Sequence, residues 1–232
     1  MTMEILEKVV LKPYISDGLV DYEKLKQDST LWDLLEAIEE MDLSNLSTKA
    51  KLAFWMNAYN LVVLKAVVKR LEKNPNWKGN LSLWDKIKFF FLERHRIAGR
   101  KMNLLTLENK IIRKFGDPRI HFAINCGSIS CPRLPHDTFN EENLDDLLDF
   151  LTTEFINSSE VNYDGSTNTL YVSRIFKWYG KDFGGKQGII QFISKYADRQ
   201  IPDDAEVIFK DYDWTLNSIN LGIEYGKHSQ KA

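Results

Sequence analysis

The stretch Thr48-Lys-Ala-Lys-Leu-Ala53-Phe54-Trp55-Met56-Asn57-Ala58-Tyr59-Asn60-Leu61-Val62-Val63-Leu64 decides the fold. Ser47 stands before it as a helix cap, and Asn74-Pro75 ends it, so the spacing predicts a helix over Thr48–Lys73. Its middle is apolar on every side, and a helix of that kind is buried on every side. This helix is therefore expected at the centre of the molecule. Asn57 and Asn60 lie three apart on one of its faces, where an unpaired buried amide costs about 1–3 kcal/mol. They must either hold a neighbouring loop by its backbone or line a wet site.

Outward from this helix the first half reads as helical. Thr30 is placed to cap a helix through Glu40, with Leu31, Leu34, Leu35 and Ile38 as its apolar stripe. Leu83–Leu92 and Leu107–Phe115 are further helices, the second with Thr106 as cap. Glu141–Ile156 and Gln187–Tyr196 complete the set. Strands are expected as a short hairpin over Arg96–Met102 around Gly99, along Arg119–Asn125, as Val161–Tyr163 and Thr169–Val172 flanking Asp164-Gly165-Ser166, and at Glu206–Phe209. The pattern predicts an α+β fold: one mostly helical domain over residues 1–226, with a central buried helix and a small, mainly antiparallel sheet. Residues 227–232, with His228, form a polar tail expected to be disordered.

Composition is consistent with a chain that folds by its own core. The 232 residues are 44% hydrophobic and 28% charged, which argues against extended disorder. The net charge is -2, so overall charge gives no case for nucleic acid or an anionic membrane as partner. Two cysteines make no disulfide framework. Glu4, Glu7, Lys8 and Lys12 interrupt the N-terminal apolar residues and leave no signal-peptide pattern. The longest uncharged apolar run, Leu52–Leu64, is too short for a membrane span. A cytoplasmic protein is the resulting expectation.

Chemistry concentrates in His121-Phe-Ala-Ile-Asn-Cys126-Gly-Ser-Ile-Ser-Cys131-Pro132. A cysteine nucleophile needs a thiolate, which a histidine, a cation or backbone N–H groups favour. Cys126 is the candidate nucleophile and His121 the candidate base. Asn57, Asn60 or Asp213 would orient that base, and N–H groups near Gly127 and Ser128 would form an oxyanion hole. On a straight strand His121 and Cys126 point to opposite faces, so their pairing needs a bulge or turn. The bland alternative makes both cysteines small buried residues and His121 a hydrogen-bonded core histidine. A zinc site from His121, Cys126 and Cys131, completed by Glu108 or His136, would have unusual spacing, so no metal or other cofactor is expected. Asp213 and Asn217 fit a histidine-orienting role or a local Asx turn. His95, His136 and His228 read as surface residues.

Four ordered motifs then become recognisable: Ala53-Phe-Trp-Met-Asn57-Ala-Tyr-Asn60; Leu107-Glu108 with Arg113; His121-Phe-Ala with Cys126-Gly-Ser and Ser130-Cys131-Pro132; and Tyr212-Asp213-Trp214-Thr-Leu-Asn217. From about Val20 to Asn217 the chain resembles the domain of unknown function family numbered 547. That resemblance implies a single domain found in bacteria, plants and animals, often attached to other modules, with no settled activity. It also implies His after the glutamate, where this chain has Asn109, and admits Ser at Cys131, which shifts the chemistry toward Cys126. The functional expectation is a cysteine-centred hydrolase or acyl transferase. Its binding residues would be Asn57, Asn60, Glu108, Ser128, Cys131 and Asp213. The alternative is a non-catalytic module that binds a peptide or small molecule.

Overall fold

A computed structural model of the protein describes residues 11–221. The expected tail at 227–232, with His228, and most of the N-terminal segment lie outside the described residues. The central helix spans Thr48–Lys73 as predicted, with the Ser47 hydroxyl accepting from the Ala50 N–H at 3.1 Å. Residues 52–64 are all buried. The helix Thr30–Glu39 lies along it and buries Leu31, Leu34, Leu35 and Ile38. Thr30 is its first residue; Ser29 occupies the cap position, without a side-chain bond.

A small three-stranded sheet lies apart from this helix pair. Val161–Asp164 pairs antiparallel with Thr169–Val172, and Glu206–Phe209 adds parallel to the same middle strand. The helices Leu144–Ile156 and Gly185–Tyr196 contribute to its core. The predicted hairpin around Gly99 is formed by His95–Ile97 and Arg100–Met102. The architecture is α+β, with one apolar cluster around the central helix and a second around the three-stranded sheet.

The segment that joins these clusters departs from expectation. Residues 119–125 form no strand: Pro118–Phe122 is a 3-10 turn, followed by irregular backbone. Pro118 fixes φ at its start and removes an N–H that a ladder would need. The Asp117 carboxylate caps the turn by accepting from the Arg119 N–H at 2.9 Å. The turn sends Ile120 into the first cluster and Phe122 into the second. A strand's alternation cannot serve two cores in this way.

Other boundaries shift for similar local reasons. Leu83–Leu92 is an α-turn, Leu83–Lys86, that widens into a π-helix over Ile87–Leu92. Leu104–Thr106 opens the next helical segment, which continues as a π-turn over Leu107–Ile111 and a 3-10 turn over Ile112–Phe115. Asn103, not Thr106, caps it: Asn103 Oδ1 accepts from the Thr106 N–H at 2.8 Å. His95 is buried, because the first strand of its hairpin turns His95 and Ile97 toward the core. Burial drives its imidazole pKa down to about 4. His136 is exposed, as expected.

Candidate functional site

The central helix uses both asparagines to hold backbone. Asn57 donates to the Phe139 carbonyl at 2.7 Å and accepts from the Phe139 N–H at 2.9 Å. Asn60 donates to the Ala123 carbonyl at 3.0 Å and accepts from the Asn125 N–H at 2.9 Å. Asn60 thereby anchors the segment between His121 and Cys126, while Asn57 fixes a loop farther along the chain. Neither side chain makes a hydrogen bond to His121. Their work is to satisfy buried backbone groups that irregular structure leaves without ladder partners.

Asn125 closes the cysteine loop. Its Nδ2 donates to the Pro132 carbonyl at 2.6 Å, and its Oδ1 accepts from the Gly127 N–H at 2.7 Å. The loop is fixed from outside as well, by the Ile129 N–H to the Thr215 carbonyl at 2.8 Å. Gly127 adopts φ +80°, and a side chain there would approach Val67 of the central helix at 3.3 Å. Glycine is thus needed both for its backbone angle and for its closeness to the helix.

Cys126 and Cys131 are among the residues that line a cavity of about 500 Å³. Tyr59, Glu108 and His121 line its interior, and Phe90, Trp178 and Trp214 are among its aromatic walls. Neither cysteine is fully buried. Cys126 Sγ lies 2.9 Å from the Ser128 hydroxyl and 3.2 Å from the Tyr212 hydroxyl. Its own N–H donates to Cys131 Sγ at 2.8 Å. Burial pushes the Cys126 thiol up, but hydrogen bonds from Cys131, from the Ser128 and Tyr212 hydroxyls and from the Ser128 backbone outweigh it and lower its pKa to about 7. Cys131 is driven the other way, by burial and then by its bond to Cys126 and the adjacent negative charge. Of the two thiols, Cys126 is therefore the one that ionises first.

The expected oxyanion hole is altered by these bonds. The Gly127 N–H is committed to Asn125, and the Ser128 N–H serves the Cys126 sulfur. Ser128 is therefore a partner of the thiolate.

His121 lies in the same cavity wall, but its Nε2 bonds Asp182 Oδ2 at 2.8 Å and makes no hydrogen bond to Cys126. The Asp182 carboxylate can only accept, so Nε2 carries the proton and Nδ1 the lone pair. That Nδ1 has no hydrogen-bond partner. Burial pushes the imidazole pKa down to about 4, although Asp182 opposes the shift. Arg113 grips the same carboxylate with two N–H groups at 2.7 Å each. Arg113 also bonds Asn109. Tyr179 stacks on His121 with ring centroids 3.9 Å apart.

Glu108 is buried on the π-turn, with the Tyr59 hydroxyl 3.5 Å away. Burial raises its pKa against the opposing effects of Tyr179 and Arg113. Asp213 is engaged locally. Its carboxylate accepts from the Thr215 N–H at 2.8 Å, which is the local Asx turn. Asn217 accepts from the Tyr22 hydroxyl at 2.7 Å. No group of three or more His, Cys, Asp or Glu placed to hold a metal occurs among the described residues.

Sequence reasoning missed Asp182, Tyr179 and Tyr212 as site residues. Tyr212 had a signal, since it opens the last recognised motif. Asp182 sits in a glycine-flanked loop 61 residues from His121, and nothing local marks it.

Comparison with curated proteins finds no match, and comparison with solved structures finds none. A family model, Protein of unknown function, DUF547, matches residues 43–156. The match is narrower than the motifs suggested. It contains Asn57, Asn60, Glu108, His121, Cys126 and Cys131, and leaves out Asp182 and Tyr212. Across the segment that carries the central helix and both cysteines, the chain resembles the DUF547 family.

Proposed function

We propose that this protein is a cysteine-centred hydrolase or acyl transferase with Cys126 as nucleophile. The observation that carries the reading is the sulfur of the cavity-lining Cys126, with two hydroxyls and a backbone N–H arranged around it to favour its thiolate. Aromatic walls suit a substrate with an apolar acyl portion. The thiolate attacks the carbonyl carbon, a C–S bond forms, the bond from that carbon to the leaving group breaks, and the group departs as its anion and takes a proton from water. Water or an acceptor nucleophile then attacks the thioester, gives up its proton to a base, and releases the Cys126 thiolate.

Asp182 fixes His121 in the tautomer that leaves Nδ1 able to accept that proton, and would stabilise the imidazolium formed. Tyr212, whose hydroxyl burial keeps protonated, is the hydrogen-bond donor to the sulfur. Glu108, Ser128 and Cys131 line or support the cavity. Asn60 is a positioning residue acting through backbone.

The second reading, a module that binds a small molecule or peptide without chemistry, is favoured by one observation: the His121 N–H is spent on Asp182 and the ring makes no bond to Cys126. Intact-mass analysis separates the two. Activated aryl esters and short acyl thioesters should each leave one acyl group on Cys126, and none on the Cys126→Ser variant. Timed iodoacetamide labelling near neutral pH should modify Cys126 before Cys131. A Cys126 that stays unlabelled and unacylated until denaturant is added would establish the binding reading instead.

A further inference from the structure

The two cysteines are brought together by more than sequence proximity. The Asn125 side chain ties Gly127 to Pro132, so both ends of the loop are held by one residue. Inside that clamp the Cys126 N–H points at Cys131 Sγ from 2.8 Å, which brings the second sulfur against the backbone of the first cysteine. The Cys131 N–H is itself turned back onto the Ser128 carbonyl at 3.1 Å. Both residues are half-buried and line the same cavity.

We propose that Cys126 and Cys131 are a reversible dithiol–disulfide pair, in which a hydroperoxide oxidises Cys126 and Cys131 resolves the product. The Cys126 thiolate attacks one peroxide oxygen, an S–O bond forms and the O–O bond breaks. The departing alkoxide or hydroxide takes a proton and leaves as alcohol or water. Cys126 has then lost two electrons to the peroxide and is a sulfenic acid. The Cys131 sulfur attacks the Cys126 sulfur, an S–S bond forms, and the S–O bond breaks. The hydroxide released takes up the Cys131 proton as water. An external dithiol restores both thiols by exchange.

The order of the two steps follows from the charge distribution. In the reduced pair, burial, the bond to Cys126 and its negative charge keep the proton on Cys131. Sulfenic acid formation removes that charge, so Cys131 becomes the easier thiol to ionise only after Cys126 has been oxidised. The disulfide consumes the proposed acyl-transfer nucleophile and so would block acylation. The oxidation itself does not require that activity.

The test uses the reduced full chain, treated with hydrogen peroxide or cumene hydroperoxide at a small molar excess. Trypsin cuts after Arg119 and Arg133, leaving both cysteines in one peptide. That peptide should lose two hydrogens in mass under non-reducing conditions and regain them with dithiothreitol. Cys131→Ser should stop at a sulfenic acid on Cys126 that dimedone traps. Cys126→Ser should form no disulfide, and its Cys131 should be trapped at least about tenfold more slowly. Circular dichroism confirms that each variant is folded, and Cys131→Ala repeats the test with a smaller side chain. Free thiols after treatment, overoxidation of wild-type Cys126 without a disulfide, or disulfides only between chains would each overturn the proposal. Acylation assayed on the reduced chain reads the preceding hypothesis separately.

Discussion

Replacing Asn60 with Ala removes two hydrogen bonds at once and tests whether the central helix holds the cysteine segment in place. The Ala123 carbonyl loses a donor at 3.0 Å, and the Asn125 N–H loses an acceptor at 2.9 Å. Ala123 and Asn125 are both buried, so water does not readily replace either partner. An unsatisfied buried polar group costs about 1–3 kcal/mol, which sets the sum at about 2–6 kcal/mol. Partial relaxation of the irregular backbone brings the expectation to about 3 kcal/mol, roughly a hundredfold in the folding equilibrium. Urea unfolding followed by far-UV circular dichroism measures it. Asn60→Asp keeps the acceptor for Asn125 but loses the donor to Ala123 and buries a carboxylate, so its cost should fall as pH is lowered and the carboxyl is protonated. Iodoacetamide labelling of folded Asn60→Ala should also show a changed ratio of Cys126 to Cys131 reactivity. A loss of less than about 1 kcal/mol, with unchanged labelling, would refute the clamp.

Stability should fall as pH drops from about 6.5 toward 4. His95 and His121 both have folded pKa values near 4, so the unfolded chain binds more protons across that window. The loss is at most about 3 kcal/mol for each histidine, and a flat urea midpoint between neutral pH and pH ~4.5 would contradict it. Asp182→Asn removes the carboxylate that opposes the lowering of His121, so the imidazole pKa should fall further; NMR titration near 6.5 in that variant would show the ring is not buried as described. Gly79→Ala should cost more than about 3 kcal/mol, because its Cβ would meet the Trp214 carbonyl oxygen at 2.5 Å and φ is +113°. Gly99→Ala, at φ +71° with open space around it, should cost only about 1 kcal/mol. Equal shifts in melting temperature for the two would remove the steric argument.

Much of the helical half was legible because its signals are local. Ser47, the apolar run from Leu52 and Asn74-Pro75 mark the central helix by cap, burial pattern and breaker. The hairpins around Gly99 and Gly165 announce themselves by turn chemistry. The polar anomaly at Asn57 and Asn60 also pointed to something real: both amides meet backbone, as buried amides must. The segment around His121 was misread because its apolar residues serve two separate cores. Ile120 and Phe122 alternate with polar neighbours as in a strand, yet Pro118 and the Asp117 cap set a 3-10 turn.

The residues alone specify the set of reactive groups and the rod they are built on: a buried helix, one cysteine loop, a histidine close before it. Short-range periodicity, capping and side-chain chemistry suffice for that. Which groups meet was decided only by tertiary structure. Asp182 reaches His121 across 61 residues, and Tyr212 reaches Cys126 across 86. Such contacts depend on how the sheet and its flanking turns close over the central helix, and no local pattern encodes that closure. The lowered pKa of Cys126 draws on the Tyr212 hydroxyl from 86 residues away, and the lowered pKa of His121 on its burial. Those arise only when distant segments exclude water together.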